Sequence, residues 1–331
     1  MSRSSSFWQK LPRPILALAP MADVTDAAFR RVIVRYGKPD VLWTEFCSAD
    51  GLWHTRERQR LPDVENPLMQ DLQFDPSERP IVAQFFTADP EKMEYAAALA
   101  RELGFDGVDI NMGCPDRSVE KQGAGAALIQ QPARAGELIR AAKRGAGDLP
   151  VSVKTRIGYH ANTLADWLPV LLREHPAAVI VHARTRQEMS LVPARWEHVA
   201  EAVRLRDEIA PETIILGNGD AQNLADAQVR VAASGADGAM LGRAIFGNPW
   251  CFHPQVRIEE VPLSERFRVM LEHARLFEQL LPRKRFAIMK KHFKAYAANF
   301  HGATELRAKL METQCADEVA NVLRAAGYLA S

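Results

Sequence analysis

DGVDINMGCPDRSVEKQGAGAAL, residues 106–128, is the stretch whose reading decides the fold. Val108, Ile110 and Met112 alternate with Asp109 and Asn111, the period-2 pattern of a strand with apolar side chains on one face and polar ones on the other. Gly113 and Pro115 end the strand, so Cys114 sits in a bend just past an amide that points inward. Parallel α/β proteins keep their chemistry at the C-terminal ends of strands, which makes this thiol a candidate for it. A lone cysteine is equally at home as a small buried hydrophobe, and position alone leaves both readings open.

Outward from this stretch the chain alternates strands and helices. Strands are expected at residues 15–19, 41–46, 81–86, 109–113, 151–156, 179–183, 213–216 and 238–241, with amphipathic helices between them. Thr25 or Asp26 caps a first helix that Gly37 ends, and a second is capped near Asp89. Residues 47–80 break the rhythm with four prolines and read as a long functional loop. Eight strands alternating with helices over about 250 residues describe a (β/α)8 barrel, a TIM barrel, with a doubly wound open sheet as the alternative. From Leu263 onward the pattern is all-helical. The expected organisation is a barrel domain over 1–255 and a smaller helical domain over 262–331.

The chain has 331 residues, 47% hydrophobic and 25% charged, the composition of a globular protein rather than a disordered or fibrous one. Cys47, Cys114, Cys251 and Cys315 form no CxxC pair and no disulfide framework, which fits a reducing compartment. Before the first strand stands MSRSSSFWQK, and the apolar run ILALA that follows is too short for a signal-peptide core or a membrane span. A cytoplasmic monomer with no membrane association and no metal site is expected.

Gln84, Asn111, Lys154, His182 and Asn218 all fall near the C-terminal ends of expected strands. In a closed barrel every second side chain points inward, so five strands aim these groups at one mouth. Gly217, Asn218, Gly219 and Asp220 end the seventh strand, and Gly242 and Arg243 follow the eighth. Barrels often hold phosphate at those two turns, where backbone N–H groups are free. With Lys154 across the mouth, the arrangement suits flavin mononucleotide (FMN), the ammonium meeting the N1–C2 carbonyl edge of the reduced ring. A structural ion pair is the other reading of Lys154.

Several stretches together carry a family resemblance: APMA at 19–22 with Thr25, Asp26, Phe29 and Arg30, NMGCP at 111–115, VKTR at 153–156, VHART at 181–185, GNGD at 217–220 and LGRA at 241–244. In order and register over about residues 15–250, they resemble the tRNA-dihydrouridine synthases. The resemblance implies an FMN-containing barrel with a C-terminal helical domain that reduces the C5=C6 bond of particular uridines in tRNA with NADPH. It further implies that Pro20, Met21 and Ala22 line the flavin, that Gln84, Lys154 and His182 contact it, and that Asn218, Gly219, Asp220, Gly242 and Arg243 hold its phosphate. Hydride would pass from flavin N5 to uracil C6, and Cys114 would give a proton to C5. Asn111, Arg156 and Arg184 would lie near the target uracil or its flanking phosphates. The sequence departs from the family pattern at Asp23, Ala28 and Thr87, and 184–196 lacks an aromatic expected soon after Gln187.

Residues 264–331 carry twelve Lys and Arg against seven Asp and Glu, a balance of +5 that leaves −4 on the rest of a chain whose total is +1. Arg283, Lys284, Arg285, Lys290, Lys291 and Lys294 have no acidic residue between them, and Phe286, Phe293 and Tyr296 interleave with them. This run is the expected tRNA-phosphate surface, against the plainer reading of a solvated helix face. Two other functions compete. A flavin barrel acting on a free pyrimidine, like a dihydroorotate dehydrogenase, explains the barrel but not the basic appendix. The second is a non-catalytic RNA-binding protein or chaperone that keeps the scaffold, which flavin absorbance on purification would count against.

Overall fold

The computed structural model describes residues 6–329, so residues 1–5 of the N-terminal stretch read above lie outside it. Eight parallel strands form one sheet: β1 (Ile15–Leu18), β2 (Leu42–Ser48), β3 (Ile81–Phe86), β4 (Gly107–Met112), β5 (Val151–Arg156), β6 (Ala178–His182), β7 (Ile214–Asn218) and β8 (Gly238–Leu241). From β2 to β8 each strand pairs with its neighbours in sequence, and β1 pairs with β8. The ring closes between β1 and β2, where Leu18 N donates to Val41 O at 3.1 Å and Asp40 N to Leu16 O at 2.8 Å. The molecule is therefore a (β/α)8 barrel rather than an open sheet.

Both faces of the strands are buried, which is why β3 and β4 are covered along their whole length. Alternate residues point inward. Ile15, Ala17, Val41, Trp43, Val82, Ile180, Leu216 and Met240 fill the lower interior, and Trp8 of the N-terminal helix Phe7–Lys10 packs with them. Two steps further up the same inward rows come Gln84, His182 and Asn218, while Asn111 and Lys154 stand two steps above the buried polar pair Asp109 and Ser152. A mostly apolar plug thus ends in a polar mouth.

The first helix spans Ala27–Gly37, capped by Asp26, whose side chain accepts from Phe29 N. Gly37 is its last residue, as expected, though without the positive φ of a left-handed cap. A Cβ there would meet His253 N at 2.9 Å and Pro249 O at 3.0 Å, so close backbone approach is the reason for the glycine. Residues 47–80 are less of a loop than the prolines suggest. They hold helices Ala49–Trp53 and Pro67–Asp71 and a π-helical turn His54–Arg58, and Leu52 and Leu72 enter the core. An Asp75–Glu78 capping box places Glu78 under the barrel helix, where it receives a 2.6 Å hydrogen bond from Arg30 Nε with both side chains fully buried.

Helices Leu263–Leu280, Met289–Tyr296, Ala303–Glu312 and Ala316–Ala325 build the C-terminal part. Its apolar cluster includes Phe267, Phe277, Phe293 and Leu323, and it extends over Ala28 and Val32 of helix Ala27–Gly37. Polar contacts reinforce the junction: Tyr36 Oη donates to Glu272 Oε2 at 2.7 Å and Gln73 Nε2 to Leu280 O at 2.7 Å. Among the described residues no helix is long and apolar enough to cross a membrane.

Candidate active site

The mouth of the barrel opens into a cleft of about 720 Å³ lined by residues from the ends of β1 to β8. Of the residues expected there, Pro20, Met21, Gln84, Asn111, Cys114, Lys154, Arg156, His182, Arg184, Asn218, Gly219, Asp220, Gly242 and Arg243 all line it. Ala22 does not. Val24 N and Thr25 N both donate to Met21 O, at 3.1 and 3.0 Å, and this tight turn puts Ala22 and Asp23 on its exposed outer side.

Cys114 is half-buried and reduced. Its loop is fixed at two points: Cys114 N donates to Asn111 Oδ1 at 2.9 Å and Ala126 N donates to Cys114 O at 2.9 Å. Gly125 allows the second contact, since it has φ +61° and a Cβ there would lie 2.7 Å from Cys114 O. Burial pushes the thiol above its ordinary pKa, only partly offset by the Asp116 N–H and the Lys154 and Arg156 charges. The group is a protonated thiol at neutral pH, suited to giving a proton rather than attacking as a thiolate.

Lys154 donates from Nζ to Asn218 Oδ1 at 3.1 Å, and Asn218 is itself held by a 2.7 Å bond from Nδ2 to Met240 O. No carboxylate among the described residues lies within ion-pair distance of Nζ. Burial, with Arg156 beside it, lowers the ammonium to about 8. A desolvated cation whose polar partner is a neutral amide is a site for an anion or an electron-rich carbonyl. Burial first, then the Lys154, Arg156 and Arg184 charges, drives His182 well below the usual imidazole range, so its Nε2 accepts from Arg184 Nη1 at 3.1 Å.

Two buried arginines anchor the loop that follows β6. Arg156 Nε donates to Gly113 O at 2.7 Å, and its Nη1 reaches Thr185 O and Met189 O at 3.0 and 3.1 Å. Arg184 Nε donates to Val192 O at 2.6 Å. The loop in turn offers Met189 and Ser190 to the cleft. Asp220 accepts from Arg184, from Ala194 N at 2.8 Å and from Arg243 Nη2 at 2.7 Å. Burial alone would raise this carboxyl, but those donors outweigh it and hold it ionised. Gly219, at φ +124°, has Ala194 Cβ 2.7 Å from where its own Cβ would stand, so the turn after β7 is held close against residue 194.

The expected basic face is divided. Lys284 turns inward and pairs with Glu45 at 2.7 Å and Asp71 at 2.8 Å. Its two counter-charges lie on the barrel side, so Lys284 is a junction residue and not a free phosphate contact. Arg283 donates to Glu65 O, while Lys294 and Arg285 are exposed and Lys290 and Lys291 half-buried. Phe293 and Tyr296 are fully buried in the helical core, so they are not stacking platforms for bases. Phe46, Met189, Gln222 and Met240 also line the cleft, beyond the residues expected there. Met240 was legible as an inward position of β8; Phe46 stands on β2 beyond a register shift between Trp43 and Phe46, and Met189 and Gln222 depend on loop paths.

Among the described residues no group of three or more His, Cys, Asp and Glu is placed to hold a metal. A family model described as dihydrouridine synthase matches residues 17–329. A protein of Bacillus subtilis (strain 168) named probable tRNA-dihydrouridine synthase 2 is 40% identical over 323 residues, covering 97% of this chain and 96% of that one. A probable tRNA-dihydrouridine synthase of Staphylococcus epidermidis is 39% identical over 321 residues, covering 96% and 95%. Among solved structures, histamine dehydrogenase from Rhizobium sp. 4-9 matches with a TM-score of 0.52 and 13% identity over 79% of this chain and 48% of that one, a likeness of fold.

Proposed function

Because the chain belongs to the dihydrouridine synthase family, we propose that it is a flavin-dependent oxidoreductase that reduces uridines of tRNA to 5,6-dihydrouridine, with FMN as the flavin and NADPH as the reductant. The observation that carries the reading is one cleft holding both an unneutralised lysine, Lys154, and a protonated thiol, Cys114. Lys154, held by Asn218, would offer its ammonium to the electron-rich N1–C2 edge of the ring. Arg243, with the turns at Gly219 and Gly242, would hold the phosphate, and Pro20, Met21 and Gln84 would bound the ring. When bound, the flavin supplies hydride to C6 of the uracil.

The chain's own residues do the rest. Cys114 gives its proton to C5, and its raised pKa keeps that proton available at neutral pH. Reduction of the C5=C6 bond is then complete, one hydride and one proton having been added. The uridine must leave its stack in the tRNA, at a cost of a few kcal/mol, and Arg156 and Arg184, buried in the cleft wall, lie near where its edge would enter. Arg285, Lys290, Lys291 and Lys294 extend the grip on the phosphate backbone from the helical domain over 262–331.

The test is mass spectrometry of tRNA lacking dihydrouridine after incubation with the flavin-loaded protein and NADPH. A gain of two hydrogens at a defined uridine is expected. Reduction of free orotate with tRNA left unchanged would favour the free-pyrimidine reading instead.

A further inference from the structure

Beneath the cleft lies a chain of buried polar side chains that ends at the cysteine loop. Ser152 Oγ donates to Asp109 Oδ1 at 2.5 Å, and Gln84 Nε2 donates to Asp109 Oδ2 at 2.6 Å. Asn111 Nδ2 donates to Gln84 Oε1 at 3.1 Å. The free end of that amide, Asn111 Oδ1, accepts from Gly113 N at 3.2 Å and Cys114 N at 2.9 Å. Asp109, Gln84 and Ser152 are wholly buried and Asn111 is 6% exposed. The strand registers put these residues side by side, with Gln84 opposite Asp109 and Asp109 opposite Ser152.

A side-chain amide has one donating and one accepting end, and nothing intrinsic to Gln84 or Asn111 decides which way each turns. A carboxylate at one end of the chain decides it, because it only accepts, in agreement with the Gly113 and Cys114 N–H groups at the other, which only donate. We propose that Asp109 is a positioning residue for Cys114: it fixes the amide of Gln84, Gln84 fixes that of Asn111, and Asn111 therefore presents an acceptor to the Gly113 and Cys114 N–H groups. Burial raises the Asp109 carboxyl to about 6, and the direction survives its protonation, since the acid proton can face Ser152 Oγ while Oδ2 still accepts from Gln84. With Asn111 reversed, its amino group would face two N–H donors and the loop would lose its anchor, leaving buried groups unpaired. The inference rests on the reading of Cys114 as proton donor only for its consequence in catalysis.

The first readout is amide hydrogen exchange at Gly113 and Cys114 in the flavin-loaded protein. Asp109→Leu is expected to speed exchange at those two amides at least about tenfold and to slow dihydrouridine formation by about 10- to 100-fold in kcat, with KM for tRNA nearly unchanged. Asp109→Asn is the control: its carbonyl can still face Gln84 and its amino group Ser152 Oγ, whose hydroxyl turns to Val108 O, so wild-type exchange and rate are expected. Adding Asn111→Ala to Asp109→Leu should cost no more than Asn111→Ala alone, because both changes break one path. If Asp109→Leu does not hold flavin, Asp109→Ser, too short to reach Gln84, takes its place in the same measurements. Wild-type exchange in the folded Leu or Ser variant, equal losses in the Asn variant, or additive losses in the double variant would each overturn the relay. Wild-type turnover by Cys114→Ala would instead overturn the reading of the thiol, and the exchange result would stand independently.

Discussion

Lys154 brings a desolvated charge to the proposed cofactor site, because burial has stripped water from its ammonium and no carboxylate among the described residues lies within ion-pair distance of it. Lys154→Met should lower flavin affinity at least about tenfold while the protein stays folded, as titration of the apoprotein with FMN will show. The pH dependence has a definite sign. The folded-state pKa is depressed to about 8, so the charge is present below that pH and lost above it. Flavin affinity of the wild type should therefore fall as pH rises from 7 to 9, and the Met variant should lack that fall. The polar mouth was legible residue by residue because strand periodicity alone tells which side chains point inward. Ala22 was not, since its position depends on a turn closed by Met21 O. Lys284 was not either: its partners Glu45 and Asp71 are more than two hundred positions away in the chain, and a basic run gives no sign of which member will be neutralised.

At the scale of the element, the helix Ala27–Gly37 serves both halves of the molecule, and its hold on the 47–80 segment centres on the buried carboxylate of Glu78. Arg30 gives Nε to Glu78, Nη1 to Thr25 O at 2.8 Å and Nη2 to Gln73 O at 2.7 Å, and Arg31 Nε reaches the second Glu78 oxygen at 2.9 Å. Breaking such a pair from one side leaves a buried charge uncompensated, at about 3–5 kcal/mol. Glu78→Gln should lower unfolding free energy by roughly 3 kcal/mol in urea titration, with the steady-state KM for tRNA unchanged. The strands were read to within a residue or two because buried parallel strands have short apolar runs bounded by Gly, Pro and polar turns. The secondary structure inside 47–80 was hidden behind its prolines, which here start helices at Pro67 and Pro76 instead of preventing them.

Over the whole molecule, charge is divided between holding the two parts together and holding a partner. Replacing Lys290, Lys291 and Lys294 by Ala should reduce the slope of log tRNA affinity against log salt by about 2 to 3, since each phosphate neutralised by a cation adds roughly 0.7 to 0.9 to it. Lys284→Ala should leave that slope unchanged and lower thermal stability, because its charge is spent on Glu45 and Asp71. Equal slopes for wild type and triple variant would move the tRNA surface off this helix face, to the 47–80 segment. The local balance of +5 after residue 263 was visible in the sequence, whereas its division between junction and surface needed the packing of Phe293 and Tyr296 into the helical core. The central claim, that the barrel mouth reduces a uracil with Cys114 as the acid, is tested most directly by following flavin reoxidation when NADPH-reduced enzyme meets tRNA lacking dihydrouridine. Cys114→Ala is expected to bind flavin and be reduced as the wild type is, and then to be reoxidised by tRNA about 10²- to 10⁴-fold more slowly. Reoxidation of the Ala variant at the wild-type rate, with dihydrouridine formed, would contradict the account.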